Sequence, residues 1–469
     1  MHELCNKLTG YKKTRWGLTE SWSESQPDGP QSNVCLSSHT STLLLRPQKI
    51  NFHTMTTPAD TNPSILLHGP KRTSISTTYL PFPTLSSYPP DHVLLKIAYV
   101  GVCGSDVHFW THGGIGADHR KYAQYFTAQT APVNSTNDEH PFAGLVMGHE
   151  ATATVLETGQ NVQNLTVGDN VAIEPGGPCR ECARCVEGMY NLCPGMRFAA
   201  SFYESEQRDG EGNAIMRATP GTLCKYYVLP EQLCYKLPAH IGLDEGVLVE
   251  PMAVAVHAVR LAGVGLLPRD GGTVVVMGAG TIGVVSAAVA CAFGASRVVL
   301  CDVNDSRLGF AERWLGEGEG AAKRAGATVS TFCVDPAEAS PTEATRLNEE
   351  HNLGLGVDVV LEASGVPSST ALGIYVLRPG GNMVQTGLSK KPLMNDFPIT
   401  DLSEKEIHFH GAFRYKEGDF EVARNLLARG LVGPVKELIN HVFAFEDFES
   451  AWKATADGKG IKNLIRGPD

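Results

Sequence analysis

At 469 residues and 50.3 kDa the chain exceeds what one hydrophobic core usually sustains, so its length predicts two domains plus extra segments. A formal net charge of -11 and a pI near 5.8 supply no basic footprint, which argues against nucleic-acid and anionic-membrane partners. Four of the 12 cysteines cluster between Cys179 and Cys193, a pattern of metal binding in a reducing compartment such as the cytoplasm rather than of a disulfide framework.

Residues 1–54 carry scattered charges and many Ser and Thr, with no apolar run of signal-peptide length. Residues 1–55 therefore read as a disordered extension, with Met55 a candidate start of the functional chain. From Ser64 to Tyr235 short β-rich runs such as HVLLKIAYVGVCG (92–104) and EATATVLETG (150–159) are separated by Gly, Pro and polar turns. They predict an irregular β-barrel-like domain over 56–251. Within it, GVCGSDVHFW (101–110) and GHE (148–150) offer a thiolate at Cys103, an imidazole at His149 and a carboxylate at Glu150. Three such ligands leave zinc a fourth position for water or substrate, although each residue taken alone has an ordinary reading as core. The polar stretch Ala117–Glu139 reads as a mobile loop, and His112, His119 and His140 as solvated or locally bonded.

Cys179, Cys182, Cys185 and Cys193 can close a tetrahedral site with no open position, hence a structural one. Zinc is the expected metal; an iron–sulfur cluster or a redox-active CxxC pair fits the same spacing. Cys224, Cys234, Cys291, Cys301 and Cys333 read as buried apolar residues.

From about Met252 helix and strand alternate, with helices near 252–263 and 281–294 and strands at 273–277, 297–301, 357–361, 382–386 and 407–413. That alternation predicts a doubly wound parallel sheet over 252–411. The apolar stretch Val274–Phe293 has the length of a membrane span, but it contains TVVVMGAGTIG (273–283), in which Gly278, Gly280 and Gly283 form GxGxxG between strand and helix. Asp302 follows at the end of the next strand, where a carboxylate bonds the adenosine ribose and repels a 2′-phosphate. NAD is favoured over NADP, with Arg307 close enough to complicate the preference. Gly316–Arg324 reads as a second mobile loop. The tail, 412–469, reads as helix, strand and helix returning to the first domain. His408 and His410 lie on a predicted strand, and neither is a candidate ligand.

Together GVCGSDVHFW, GHE, the four-cysteine loop, VEP (249–251), GAGTIG with Asp302, and GAFRY (411–415) resemble the zinc-containing medium-chain alcohol dehydrogenases, and within them the polyol branch of sorbitol and xylitol dehydrogenases. The resemblance runs from about Pro63 to Gly467. It implies a discontinuous GroES-like β-barrel catalytic domain and a Rossmann NAD-binding domain. It further implies a catalytic zinc on Cys103, His149 and Glu150, with Glu250 as alternate or water-mediated ligand, and a structural zinc on the four cysteines. Asp106 would orient His149, and Ser105 and His108 would relay the substrate proton. Phe109, Phe198, Ser201, Glu250, Arg414 and Tyr415 would meet the substrate. Gly278, Gly280, Ile282, Gly283, Asp302, Arg307, Thr386, Gly387, Leu388, Phe413 and Arg414 would hold NAD. The implied reaction is reversible oxidation of xylitol to D-xylulose in a cytoplasmic homo-tetramer, with no nucleic-acid or membrane partner.

Three departures stand out: a longer segment between Gly116 and Gly148, Phe109 where sorbitol-preferring relatives tend to have tyrosine, and EASG (362–365) in place of ECTG. The rival enzyme reading is a sorbitol or L-arabinitol 4-dehydrogenase. The rival of another class is a non-catalytic zinc- and NAD-binding structural or redox-sensing protein, disfavoured because Cys103, Ser105, His108, His149, Glu150 and Glu250 are all present.

Overall fold

The computed structural model describes residues 61–116, 144–208, 214–266, 272–389 and 393–469, all within one compact unit, 58–469. The leading extension with Met55 and the Ala117–Glu139 insertion, with His119 and His140, lie outside the described residues.

The first large sheet begins with β1 (His92–Gly101), β2 (Glu150–Thr158), β3 (Asn170–Ile173), β4 (Tyr226–Pro230) and β5 (Cys234–Lys236). The second comprises β6 (Thr273–Met277), β7 (Arg297–Asp302), β8 (Thr328–Cys333), β9 (Val357–Glu362), β10 (Leu377–Gln385) and β11 (His408–Gly411). The tail adds β12 (Ile439–Phe443) and β13 (Lys462–Arg466) to the first sheet. That sheet runs β5-β3-β2-β1-β13-β12, with β4 also paired to β1. The expected helix–strand–helix tail thus ends one strand too early. β13 is short and its lysine breaks an apolar pattern, yet it pairs with β1 through Leu464 opposite Gly101.

The second sheet runs β8-β7-β6-β9-β10-β11, every pair parallel. This order reverses between β6 and β9, the switch point at which doubly wound sheets bind ligands. Val274, Val275 and Val276 are fully buried because helices cover both faces, so the strand reads as a continuous apolar run. The stretch Val274–Phe293 divides into β6, a glycine turn and a 12-residue helix. Among the described residues no helix is long and apolar enough to cross a membrane.

The helices that position the site are α1 (Gly104–His112), α2 (Val249–Leu261), α3 (Thr281–Ala292), α4 (Asp305–Gly316), α5 (Ala321–Ala325), α6 (Asp419–Ala428) and α7 (Phe448–Ala456). α2 touches β2 and β3 of the first sheet and α3 and β10 of the second layer, so it lies between the two sheets. In place of the loop expected over Gly316–Arg324, α4 runs to Gly316, and α5 buries Ala321 and Ala322 in the same core as α2 and α3. The alanines, hidden by Gly and Glu neighbours, carry the burial. Cys224, Cys234, Cys291 and Cys301 are buried, whereas Cys333 is only partly so. Neither His408 nor His410 is buried.

Candidate active site and metal centres

β1 and β2 pair with Gly101 opposite Glu150, and the chain leaving Gly101 turns into α1 at Cys103, the residue capping that helix. The Asp106 carboxylate accepts the Cys103 N–H at 2.9 Å and so fixes the start of α1. These two turns bring the Cys103 thiol, a His149 ring nitrogen and a Glu150 oxygen within 4.8 Å of one another. Burial and the neighbouring Glu150 push the Cys103 thiol up, with Lys462 pulling the other way. A buried thiol among carboxylates ionises readily only against a further cation, so this donor set fits zinc.

Lys462 went unseen in the sequence. β13 flanks β1 on the side opposite β2, and from it the ammonium group crosses Gly101 to pair with Glu150 and donate to the Val102 carbonyl at 3.2 Å. A Cβ at Gly101 would collide with both side chains, so glycine is required there by crowding rather than by backbone angle. Burial alone would lower the Lys462 pKa, but Glu150 holds it above the usual value. The only sequence signal was a lysine inside the strand KNLIR.

Ser105 Oγ lies 3.4 Å from His149 Nε2. Asp106 Oδ1 is 3.7 Å from His149 Nδ1, too long for a hydrogen bond, because its other oxygen is held by Cys103. Glu250, at the start of α2, is buried, and burial pushes its carboxyl up to about 7, with His149 lowering it and Glu150 raising it. His108 lies one turn beyond Ser105, its ring 6.0 Å from that of the exposed His112.

Phe198 stands 5.7 Å from the His149 ring, and the Arg414 guanidinium covers Phe198 at 3.8 Å and Phe413 at 4.6 Å. Ser201 donates to the Phe198 carbonyl at 2.7 Å, bracing this wall. Two expected wall residues are placed differently. Phe109 is 5% exposed and packs in the barrel core, since it faces inward from α1. Tyr415 is 1% exposed, edge-on to Phe420 at 5.6 Å, with its hydroxyl unpartnered among the described residues. Burial, then Glu250 and Glu174, push that phenol well above its ordinary value.

At the switch point each glycine of the turn does what its position requires. Gly278 has φ +100°, Gly280 caps α3 with open space where a Cβ would stand, and a Cβ on Gly283 would strike the Gly278 carbonyl. The space at Gly280, beside the N-terminus of a 12-residue helix, fits a pyrophosphate. Asp302 accepts from Ala279 N at 2.7 Å and Asn304 N at 3.0 Å, which aims it at this turn. Ile282 is half-buried on α3, and Thr386 and Gly387 donate to the Glu362 carbonyl, leaving Leu388 exposed. Arg307 instead bonds the Gly458 carbonyl at 3.2 Å, tying α4 to the tail.

In the four-cysteine lobe the Sγ separations are 3.5 Å for Cys179–Cys193, 3.6 Å for Cys182–Cys185 and 3.9 Å for Cys179–Cys185. Zinc–sulfur bonds of about 2.3 Å give a tetrahedral edge of about 3.8 Å. The lobe therefore fits a single ion, whereas an iron–sulfur cluster would set its own atoms between the thiolates and need a wider cage. Amide N–H groups of Glu181 and Cys182 hold Cys179 down at about 6. Behind the lobe a buried Glu174, also unforeseen, accepts from the hydroxyls of Tyr190 and, at 2.9 Å, Tyr235.

Residues 89–239 match the alcohol dehydrogenase GroES-like domain and residues 281–429 the zinc-binding dehydrogenase domain. The chain is 42% identical over 416 residues to "Probable D-xylulose reductase A" of Emericella nidulans, covering 88% of this chain and 98% of that one. It is 42% identical over 381 residues to D-xylulose reductase A of Aspergillus oryzae, covering 80% and 90% respectively. Among solved structures it is similar to L-idonate 5-dehydrogenase of Escherichia coli, with a TM-score of 0.65, 26% identity, and 87% of this chain and 98% of that one covered.

Proposed function

The chain belongs to the zinc-containing medium-chain alcohol dehydrogenase family, and on that premise we propose that it oxidises xylitol reversibly to D-xylulose with NAD. The observation that carries this reading is the convergence of Cys103, His149 and Glu150 within 4.8 Å beside the Arg414–Phe198 wall. Zinc bound there supplies Lewis acidity toward a substrate hydroxyl, and NAD supplies the hydride acceptor.

The chain's own residues do the rest. Glu150, braced by Lys462, and Cys103, at the cap of α1, hold their donor atoms in place, with Glu250 as the alternate ligand. Ser105 takes the hydroxyl proton and His108 passes it toward solvent along α1. Arg414 donates to hydroxyls remote from the reacting carbon. Gly278, Gly280 and Gly283 admit the pyrophosphate, and Asp302 bonds the ribose. The four cysteines hold a structural zinc. The enzyme works as a cytoplasmic homo-tetramer, in which the exposed strand β11 at the end of its sheet offers one contact between copies.

The test combines zinc content with steady-state rates on xylitol, sorbitol and L-arabinitol. The highest kcat/KM is expected with xylitol. A fully zinc-loaded protein that binds NADH yet reduces no ketose would return the non-catalytic alternative.

A further inference from the structure

Arg414 has φ +56°, a left-handed conformation that costs a non-glycine residue energy and persists where the surroundings over-determine it. Three elements pin the turn around it. The Asn191 side-chain amide, from the four-cysteine lobe, donates to the Phe413 carbonyl at 2.9 Å. Glu417 N donates to the Gly188 carbonyl of the same lobe at 3.2 Å. On the far side Lys416 N donates to Asp419 Oδ2 at 2.9 Å, and Asp419 is itself gripped from α2 by His257 at 2.9 Å and Arg260 at 2.6 Å. Of these contacts only Asn191 reaches the residue preceding Arg414, and it does so from a 6% exposed position two residues from Cys193.

We propose that Asn191 is a positioning residue for substrate recognition: its amide holds the Phe413 carbonyl, and so the strained Arg414 backbone, in the orientation that lays the guanidinium over Phe198 beside His149. The four-cysteine lobe then has a role beyond its own stability, because it carries the donor that sets the substrate-facing arginine. This rests on the reading of Arg414 as a polyol contact.

The test compares zinc-loaded wild type, Arg414→Ala, Asn191→Asp, and the double variant. Asparagine and aspartate share a shape, but an ionised carboxylate cannot donate to a carbonyl, so in assays at about pH 9, above the range to which burial lifts carboxyls, Asn191→Asp removes the hydrogen bond with little change in packing. Arg414→Ala is expected to raise the xylitol KM. Asn191→Asp is expected to raise it about fivefold to tenfold, the worth of one hydrogen bond, with kcat and zinc content held. In the Arg414→Ala background the Asn191→Asp effect should vanish, an outcome that general destabilisation would not produce. Equal KM for Asn191→Asp and wild type, additive effects in the double variant, or loss of zinc from Asn191→Asp would overturn the proposal. If Arg414→Ala alone leaves the KM unchanged, the reading of Arg414 fails and this inference with it.

Discussion

A buried lysine is tolerated only beside a compensating charge, and at Lys462 that charge is a residue proposed to hold zinc. Lys462→Met should therefore act most strongly on metal-stripped protein, where Glu150 would be left buried and unpaired. Denaturant unfolding of that form is expected to show a loss of about 3–5 kcal/mol, partly recovered on adding zinc. Equal loss with and without zinc would break the link between the pair and the metal. Asp302 makes a second case at the same scale. Asp302→Ala should raise kcat/KM with NADP relative to NAD, and unchanged discrimination would count against its role at the ribose. Cys103, His149, Glu150 and Asp302 were legible in the sequence because each sits in a motif whose spacing is local. Lys462 and Asn191 were not, since each meets its partner only through distant pairing, one strand beside β1 and one loop against another.

The four-cysteine lobe shows how an element can be readable in its ligands and opaque in its footing. Its thiol separations match one tetrahedral ion, so Cys182→Ser should lower the thermal midpoint while the catalytic zinc stays bound. An unchanged midpoint would contradict the structural role. Beneath the lobe, Glu174 ties Tyr190 to Tyr235 of β5, and burial pushes its carboxyl up to about 7 although both hydroxyls pull it down. Between its ordinary value of 4.5 and about 7 the folded chain keeps a proton that the unfolded chain has released. Stability from this group is thus full below that window and falls as pH rises through it. Glu174→Gln has no proton to lose, so relative to wild type it should gain on the order of 3 kcal/mol between pH 4.5 and 8. Identical pH slopes in the two proteins would exclude Glu174 as their source. Element-level misreadings had similar origins: α5 hides buried alanines among glycines and charges, and β13 hides a strand behind a lysine.

At the scale of the molecule, strand order leaves the second sheet with β11 at one end, beyond β10. The strand itself was legible in the sequence, but its place at the edge depended on the whole topology. Phe409 on β11 is 37% exposed and meets Phe397 edge-on at 5.9 Å, and Ile399 nearby is 61% exposed. Exposed edges with apolar side chains pair readily with another chain unless charge or a covering element blocks them. A second copy of the chain would satisfy β11 by extending the sheet across a two-fold axis, a self-complementary contact that closes without leaving a new edge. Phe409→Lys puts a charge on that face and is expected to shift the sedimentation coefficient toward smaller species at micromolar concentration, while each chain keeps its zinc. If wild type already sediments as a monomer, or the variant sediments with the wild type as one large species, β11 is not the assembling edge.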